Sequence, residues 1–315
     1  MKPNGKIAAV VVLSCAVVGC KRGDTKKTTA ENATTPNAVA SLSGSPAAGK
    51  AIDDEGFVGT PSPTVKGPVS FADAEAAFQS KNYGEATTLF EQYIQRRPDN
   101  PWGHYMLGLS AWKSGDLVKS EESFGRALSL DPMHMKSLVN LSRVLIEQKR
   151  YDDAIGKLTT AGEVDPESAT VPRLMARAHS AKGEFEPAVD AYRRAIALDG
   201  SDAWSMNNLG LLYLEHGFVE DALAYLAKAV QMNENVAAFH NNLGMALEHE
   251  GRFVAAATAY KGALTADPGY KKAKQNLVRV EAVKAGPEEP FDLAAVARGT
   301  DEDRKVGSDD TRASK

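Results

Sequence analysis

Residues 206–229 read Met206-Asn207-Asn208-Leu209-Gly210-Leu211-Leu212-Tyr213 and, after an eight-residue interval, Ala222-Leu223-Ala224-Tyr225-Leu226-Ala227-Lys228-Ala229. The scheme returns downstream as Leu243-Gly244, Gly251, Phe253, Ala256, Tyr260, Ala263 and Pro268. Upstream the same places hold Leu107-Gly108, Gly115, Phe124, Ala127 and Pro132; then Leu141, Tyr151, Ala154, Leu158, Ala161 and Pro166; then Gly183, Phe185, Ala188, Tyr192 and Ala195. An earlier unit ends with Tyr83, Ala86, Phe90 and Pro98. The beat is 34 residues, marked by Pro98, Pro132 and Pro166, carried by Gly200 and Glu234, and returned to proline at Pro268. A fixed period of this length points to stacked helix-turn-helix units, and it directs the search for function to a binding surface.

Each residue type has a physical reason. Glycine at 108, 210 and 244 lets the first helix of a unit approach the second closely, and Ala127, Ala195 and Ala229 do the same from the other side. Phe90, Phe124, Tyr192 and Tyr260 fill the space between neighbouring units. Proline disfavours helical geometry in the residue before it, so Pro98, Pro132, Pro166 and Pro268 end the second helices. Where proline is replaced, the stop rests on Asp199-Gly200 and on Asn233. Asn100, Ser168 and Asp202 fall where the next helix starts, and each can cap it.

At these diagnostic positions the chain resembles the tetratricopeptide repeat family. The resemblance covers residues 70–285, as six repeats at about 67–100, 101–134, 135–168, 169–202, 203–236 and 237–270, with a capping helix over 271–285. It implies an all-α fold, a right-handed α-solenoid in which the first helices of successive repeats line a concave groove for an extended peptide or a partner helix. Around Leu277 and Val280, the capping helix carries Lys271, Lys272, Lys274, Gln275 and Arg279, a mixture suited to a solvated terminal face.

Composition narrows the function classes. The net charge is −4 with acidic and basic residues interspersed, which lacks the basic footprint of a nucleic-acid binder. The only cysteines are Cys15 and Cys20, so the repeats can form neither a disulfide nor a thiolate metal site. Histidines at 104, 134, 179, 216, 240 and 249 are scattered; His104 and His240 share a place in their repeats, which argues packing rather than ligation. No Gly-x-Ser-x-Gly elbow is present, and Gly44-Ser-Pro-Ala-Ala-Gly49-Lys50-Ala51 lacks the hydroxyl and the strand-helix setting of a P-loop. The expectation is a non-enzyme with no metal, no cofactor and no small-molecule substrate.

The N-terminus reads as an address. Lys2 and Lys6 precede an apolar stretch from Ile7 to Val18, too short for a membrane span of about 20 residues but suited to an export signal over 1–19. Val17-Val18-Gly19-Cys20 resembles a bacterial lipobox, which implies that Cys20 is lipidated and becomes the new N-terminus. Cys15, after Leu13-Ser14, is the weaker candidate because it leaves only a short apolar run. Lys21 and Arg22, with no aspartate beside Cys20, resemble the outer-membrane sorting pattern of enterobacterial lipoproteins, facing the periplasm. Residues 20–69 hold a single aromatic, Phe57, and are rich in Thr, Ala, Ser, Pro and Gly, the composition of a disordered tether. As a flexible coil it spans about 35–42 Å. Residues 286–315 read as a solvated polar tail in which only Phe291–Val296 could form a short helix or docking peptide.

Candidate groove residues follow from register. With Leu209-Gly210 at places seven and eight, the family's groove positions are mainly two, five, six, nine and twelve. Place six reads Asn140, Leu174, Asn208, Asn242 and, in the cap, Asn276, while Asn207 and Asn241 add a second row at place five. A side-chain amide both donates and accepts, which suits a peptide backbone of any sequence. The series resembles the asparagine ladder of peptide-binding tetratricopeptide domains, and Asn-Leu-Gly is equally a family consensus. Lys136, Arg143, Arg173 and Arg177 gather in the third and fourth repeats, either as a basic face paired internally or with solvent, or as a carboxylate site. The likeness to the family's carboxylate clamp is loose, because Val139 stands where a lysine would precede Asn140. Trp102, Tyr105, Leu109 and Trp112 form one helical stripe, readable as interface anchors or as packing against the adjacent helix. The functional expectation is an envelope adaptor that binds a peptide segment of another envelope protein, with membrane contact through Cys20. Two alternatives stand: a pilotin-like assembly factor for a type IV or tight-adherence pilus secretin, and a regulator that recruits cell-wall hydrolases or proteases.

Overall fold

A computed structural model of the chain describes residues 67–283 and 286–299. The expectations for the export signal, Cys20 and the tether as far as residue 66, and those for residues 300–315, lie outside the described residues. Six helix pairs follow one another: α1 Phe71–Gln79 and α2 Tyr83–Arg96, α3 Pro101–Ser114 and α4 Leu117–Leu130, α5 Met135–Glu147 and α6 Tyr151–Val164. The series continues with α7 Thr170–Lys182 and α8 Phe185–Leu198, α9 Ala203–Glu215 and α10 Val219–Met232, α11 Ala237–His249 and α12 Phe253–Ala266. Helix α13, Lys271–Glu281, packs on α12 as the terminal helix, and a one-turn α14 spans Leu293–Ala297. The arrangement is an all-helical α-solenoid. Odd-numbered helices touch one another along the row at α1–α3, α3–α5, α5–α7, α9–α11 and α11–α13, so they form the inner, concave wall, and the even-numbered helices lie outside.

The small residues at place eight explain the pairing. A Cβ on Gly108 would lie 2.8 Å from Phe124, one on Gly210 2.6 Å from Leu226, and one on Gly244 2.5 Å from Tyr260. Any side chain there forces the two helices apart. Phe90, Phe124, Tyr192 and Tyr260, the large residues of the second helices, are fully buried.

The turns have two recurrent devices, and the first departs from the expectation that proline sets the stop. The last residue before the beat is Asp131, Asp165, Asp199, Asn233 or Asp267, and in each case its side-chain oxygen accepts the backbone N–H two residues on, at 2.8–3.2 Å. This Asx turn operates before Gly200 and Glu234 as it does before proline, so the short polar side chain ends the helix and proline reinforces it. Asn100 and Asp202 cap α3 and α9 as expected, but Ser168 does not cap α7, which begins after Ala169 without a side-chain cap.

The second device joins the two helices within each repeat. Positive φ returns at Lys81 (62°), Gly115 (90°), Lys149 (61°), Gly183 (78°), Gly217 (81°) and Gly251 (80°), one residue per 34. Four are glycine, which adopts this geometry freely; the two lysines do so against the steric preference of an L-residue.

The segment expected as a solvated tail is ordered up to residue 299. Phe291, Leu293, Val296 and Ala297 pack against the apolar core of the last repeats, and α14 lies on α10. The reason is that these apolar side chains meet the outer face of α10, a surface that no pattern within the tail itself records.

Relieving the left-handed lysine should stabilise the repeat. Lys149→Gly is expected to raise stability by about 0.5–1 kcal/mol, the steric relief being partly offset by the greater freedom of glycine in the unfolded chain. A urea midpoint that falls would contradict the assignment of strain to this turn.

Candidate functional site

The concave wall brings the place-five and place-six residues of neighbouring repeats together with a fixed offset. Place six donates to place five of the preceding repeat: Asn140 Nδ2 to the Tyr105 hydroxyl (3.3 Å), Asn242 Nδ2 to Asn207 Oδ1 (2.8 Å) and Asn276 Nδ2 to Asn241 Oδ1 (3.0 Å), always across 35 residues. Within a repeat, Asn207 Nδ2 donates to Asn208 Oδ1 (3.1 Å) and Asn241 Nδ2 to Asn242 Oδ1 (3.3 Å). Asn276, Asn241, Asn242, Asn207 and Asn208 therefore form one continuous amide relay across α13, α11 and α9. Asn140, Asn207, Asn208, Asn241 and Asn242 are buried, exposed by only 2–9%. Their amides are engaged within the wall first, Asn140 with Tyr105 and Arg143 and the others with one another, because a buried amide left unpaired is costly.

The arginines separate into two kinds. Arg173 Nη1 lies 3.1 Å from the buried carboxylate of Asp202, which also caps α9 by accepting the Ser205 N–H. Arg173 is thus spent on holding one repeat to the next. Arg143 Nη1 donates to Asn140 Oδ1 (2.8 Å), and neither Arg143 nor Arg177 has a carboxylate in ion-pair contact among the described residues. The Nε of Arg177 is buried without a hydrogen-bond partner there. Burial, then the proximity of Arg173 and Arg177, holds the Arg143 guanidinium below the ordinary arginine value. Burial likewise lowers Arg177, with Glu147 and Tyr192 opposing the shift. Two charged groups in such surroundings favour an incoming anion.

The aromatic stripe does not act as one unit. Trp102 is 45% exposed, meets Tyr105 and His134 edge-on, and has Lys136 Nζ 5.0 Å over its ring. Tyr105 is buried and is the acceptor of Asn140, and burial pushes its hydroxyl above the usual tyrosine value. Trp112 Nε1 donates to both carboxylate oxygens of Glu147 at 3.1 Å, which ties α3 to α5. Around Trp102 the wall opens into a cavity of about 500 Å³ lined by Phe71, Phe78, Trp102, Tyr105, Leu109 and Lys136, among others. Trp204, 43% exposed and edge-on to Phe239, occupies place two of the fifth repeat as Trp102 does in the second. Sequence reasoning missed Trp204, although that shared register was the available signal.

The histidines at place four have matched structural partners. His104 Nε2 meets the Pro98 carbonyl at 2.9 Å and His240 Nε2 meets the Glu234 carbonyl at 2.8 Å, each six residues back. Among the described residues no group of three or more His, Cys, Asp or Glu side chains is placed to hold a metal ion.

Paired helices with glycine at the close approach, turning on a 34-residue beat around a polar concave wall, define a class of interaction scaffold. Family profiles described as tetratricopeptide repeat match residues 105–169 and 207–271, and a TPR repeat profile matches 176–217. The chain is a tetratricopeptide-repeat protein. It is similar to the human cell division cycle protein 16 homolog, 25% identical over 156 residues that cover 46% of this chain and 25% of that one. The chain therefore spans about a quarter of the length of that relative. Among solved structures, Pseudomonas aeruginosa PilF matches with a TM-score of 0.56 at 17% identity, covering 65% of this chain and 94% of that one. A tetratricopeptide repeat protein from Parabacteroides merdae matches with a TM-score of 0.54 at 16% identity, covering 67% and 82%. These likenesses show the fold.

The amide relay makes a stability prediction. Asn242→Ala leaves Asn207 Oδ1 without its Asn242 donor and Asn241 Nδ2 with only the weak Met245 sulfur as acceptor, and should cost about 1–3 kcal/mol by urea unfolding. An unchanged midpoint would mean that the row serves a ligand and not the fold.

Proposed function

We propose that this protein is a membrane-anchored adaptor whose concave groove holds an extended, acidic segment of another envelope protein. The observation that carries the reading is the pair Arg143 and Arg177, on adjacent inner helices, with no carboxylate in ion-pair contact among the described residues and the Arg177 Nε buried without a hydrogen-bond partner. Arg143 reaches the cavity wall at Trp102 through Asn140, whose amide donates to Tyr105, so a segment with an apolar anchor and a carboxylate farther along the inner wall fits both features. Avidity supplied by a lipid at Cys20 would raise the effective concentration of a partner in the same membrane. A more specific form of this reading is assembly of a pilus secretin, favoured by the lipobox-like Val17-Val18-Gly19-Cys20 ahead of six repeats. Recruitment of a cell-wall hydrolase or protease is distinguished from it by a change in that enzyme's activity on adding the purified protein.

Two experiments test the proposal. A photo-crosslinker at Trp102 is expected to capture a discrete envelope protein in cells, whereas one at Val118, 75% exposed on α4, is not. Arg143→Gln with Arg177→Gln should reduce that capture more than tenfold, since each charge-assisted bond contributes about 1.5–3 kcal/mol. Equal capture by the double variant would overturn the groove assignment. Separately, Cys20→Ser should abolish fatty-acid labelling and move the protein out of the membrane fraction; retained labelling would rule out this anchor.

A further inference from the structure

The segment that folds back after α13 contacts the outer face at four chemically distinct points. Glu288 places Oε1 2.8 Å from the Val254 N–H and Oε2 3.3 Å from the Ala255 N–H, in the first turn of α12. Helix α12 has no side-chain cap of its own, because its N-cap is Arg252. A carboxylate there meets both unpaired N–H groups and the positive end of the helix. Arg252 then donates from Nη2 to the Glu289 carbonyl at 2.8 Å, and its guanidinium lies 5.0 Å over the Phe291 ring. Asp292 caps α14 through the Ala295 N–H at 2.9 Å. Beyond it, Leu293, Val296 and Ala297 set an apolar helical turn against α10.

This is the recognition pattern of a short linear motif, displayed with its ligand in place. The pattern is a carboxylate, an aromatic three residues on, and a one-turn apolar helix. The hold is weak enough to exchange. Helix α14 has five residues, and Phe291, Leu293 and Val296 are only partly buried. A helix this short does not persist without its docking surface. Between the end of α13 and Glu288 lie only residues 282–287, so the segment stays at high local concentration and remains seated until a competitor arrives.

We propose that the outer face over α10 and the first turn of α12 is a second peptide-binding site. Residues 288–297 occupy it in cis, and a partner-protein segment of the same pattern displaces them. The site is independent of the concave groove, so a partner held there leaves the inner wall free.

The test uses the full-length chain and, as probe, a fluorescein-labelled peptide of residues 286–299. Phe291→Ala with Leu293→Ala loosens the resident segment. Fluorescence anisotropy should show saturable binding of the probe to this variant, with roughly tenfold or greater weakening for the wild-type chain, where the resident competes. Arg252→Ala on the loosened background should abolish it. Absence of binding by the loosened variant at unchanged helicity, or equal affinity for both chains, would overturn the proposal. Concentration-dependent dimerisation of the wild-type chain that Phe291→Ala removes would also overturn it, in favour of tail exchange between copies. A second measurement does not depend on the variants. Excess unlabelled peptide added to the wild-type chain should speed amide exchange at Ala295–Ala297 while Val254 and Ala255 stay protected, and unchanged exchange at Ala295–Ala297 would count against displacement.

Discussion

Where the first helix meets the second in the second, fifth and sixth repeats, there is no room for a Cβ. At Gly108, Gly210 and Gly244 such an atom would sit 2.5–2.8 Å from Phe124, Leu226 or Tyr260. That approach fixes the depth at which the large side chain is buried, and hence the angle at which the next repeat can stack. A methyl group added there either displaces an aromatic ring from the core or separates the helices. The third and fourth repeats use buried Ser142 and Ala176 at the same place, opposite Leu158 and Tyr192. A closely spaced pair brings the inner helices near enough for side chains 35 residues apart to bond, so the polar wall depends on the apolar one.

The inner wall spends its polar groups on the scaffold before it offers any to a ligand. Asn207, Asn241 and Asn242 satisfy one another, Tyr105 accepts from Asn140, Trp112 is held by Glu147, and Arg173 is held by Asp202. At the far end Glu248 accepts from Tyr260 and from both Arg279 nitrogens. Burial raises the Glu248 carboxyl, but the bonds from Arg279 and Tyr260 outweigh it and hold the group below the usual glutamate range. Because that value is depressed on folding, the contribution is present above the ordinary glutamate range and fades as pH falls through the lowered one. Left over are Trp102, Trp204, Arg143 and Arg177, few groups but unlike ones.

The register was legible because it is repeated: small residues, aromatics and breakers recur in phase, and helix pairs follow from them. The devices inside the turns were less so. At Pro132, Pro166 and Pro268 proline drew the reading toward itself, although an Asx residue stands before it and makes the same turn as Asp199 and Asn233, which read as the stop where proline is absent. Lys81 and Lys149 carry no compositional sign of positive φ; only their phase with Gly115 and Gly183 gives it away. Candidate groove residues could be named from their places, but not their engagement. The partner of Arg173 is Asp202, the cap of α9, and a single helix shows nothing of it. Within the tail Phe291–Val296 reads as a short helix or docking peptide, but where it docks was not legible, because Phe291, Leu293 and Val296 are too few to make a periodic pattern and find their complement on α10.

The folded-back segment also makes the two ends of the stack unequal. In a linear array each terminal unit is retained by one neighbour interface, so loss of structure begins at whichever end costs less to detach. At the C-terminal end, detaching the sixth repeat also breaks the strap from Glu288 to α12 and from α14 to α10, which binds the fifth and sixth repeats together. Among the described residues, helix α1 has α2 and an edge of α3 to hold it. Among the described residues, unravelling is therefore directional, starting from the first helix pair and ending at the strapped one.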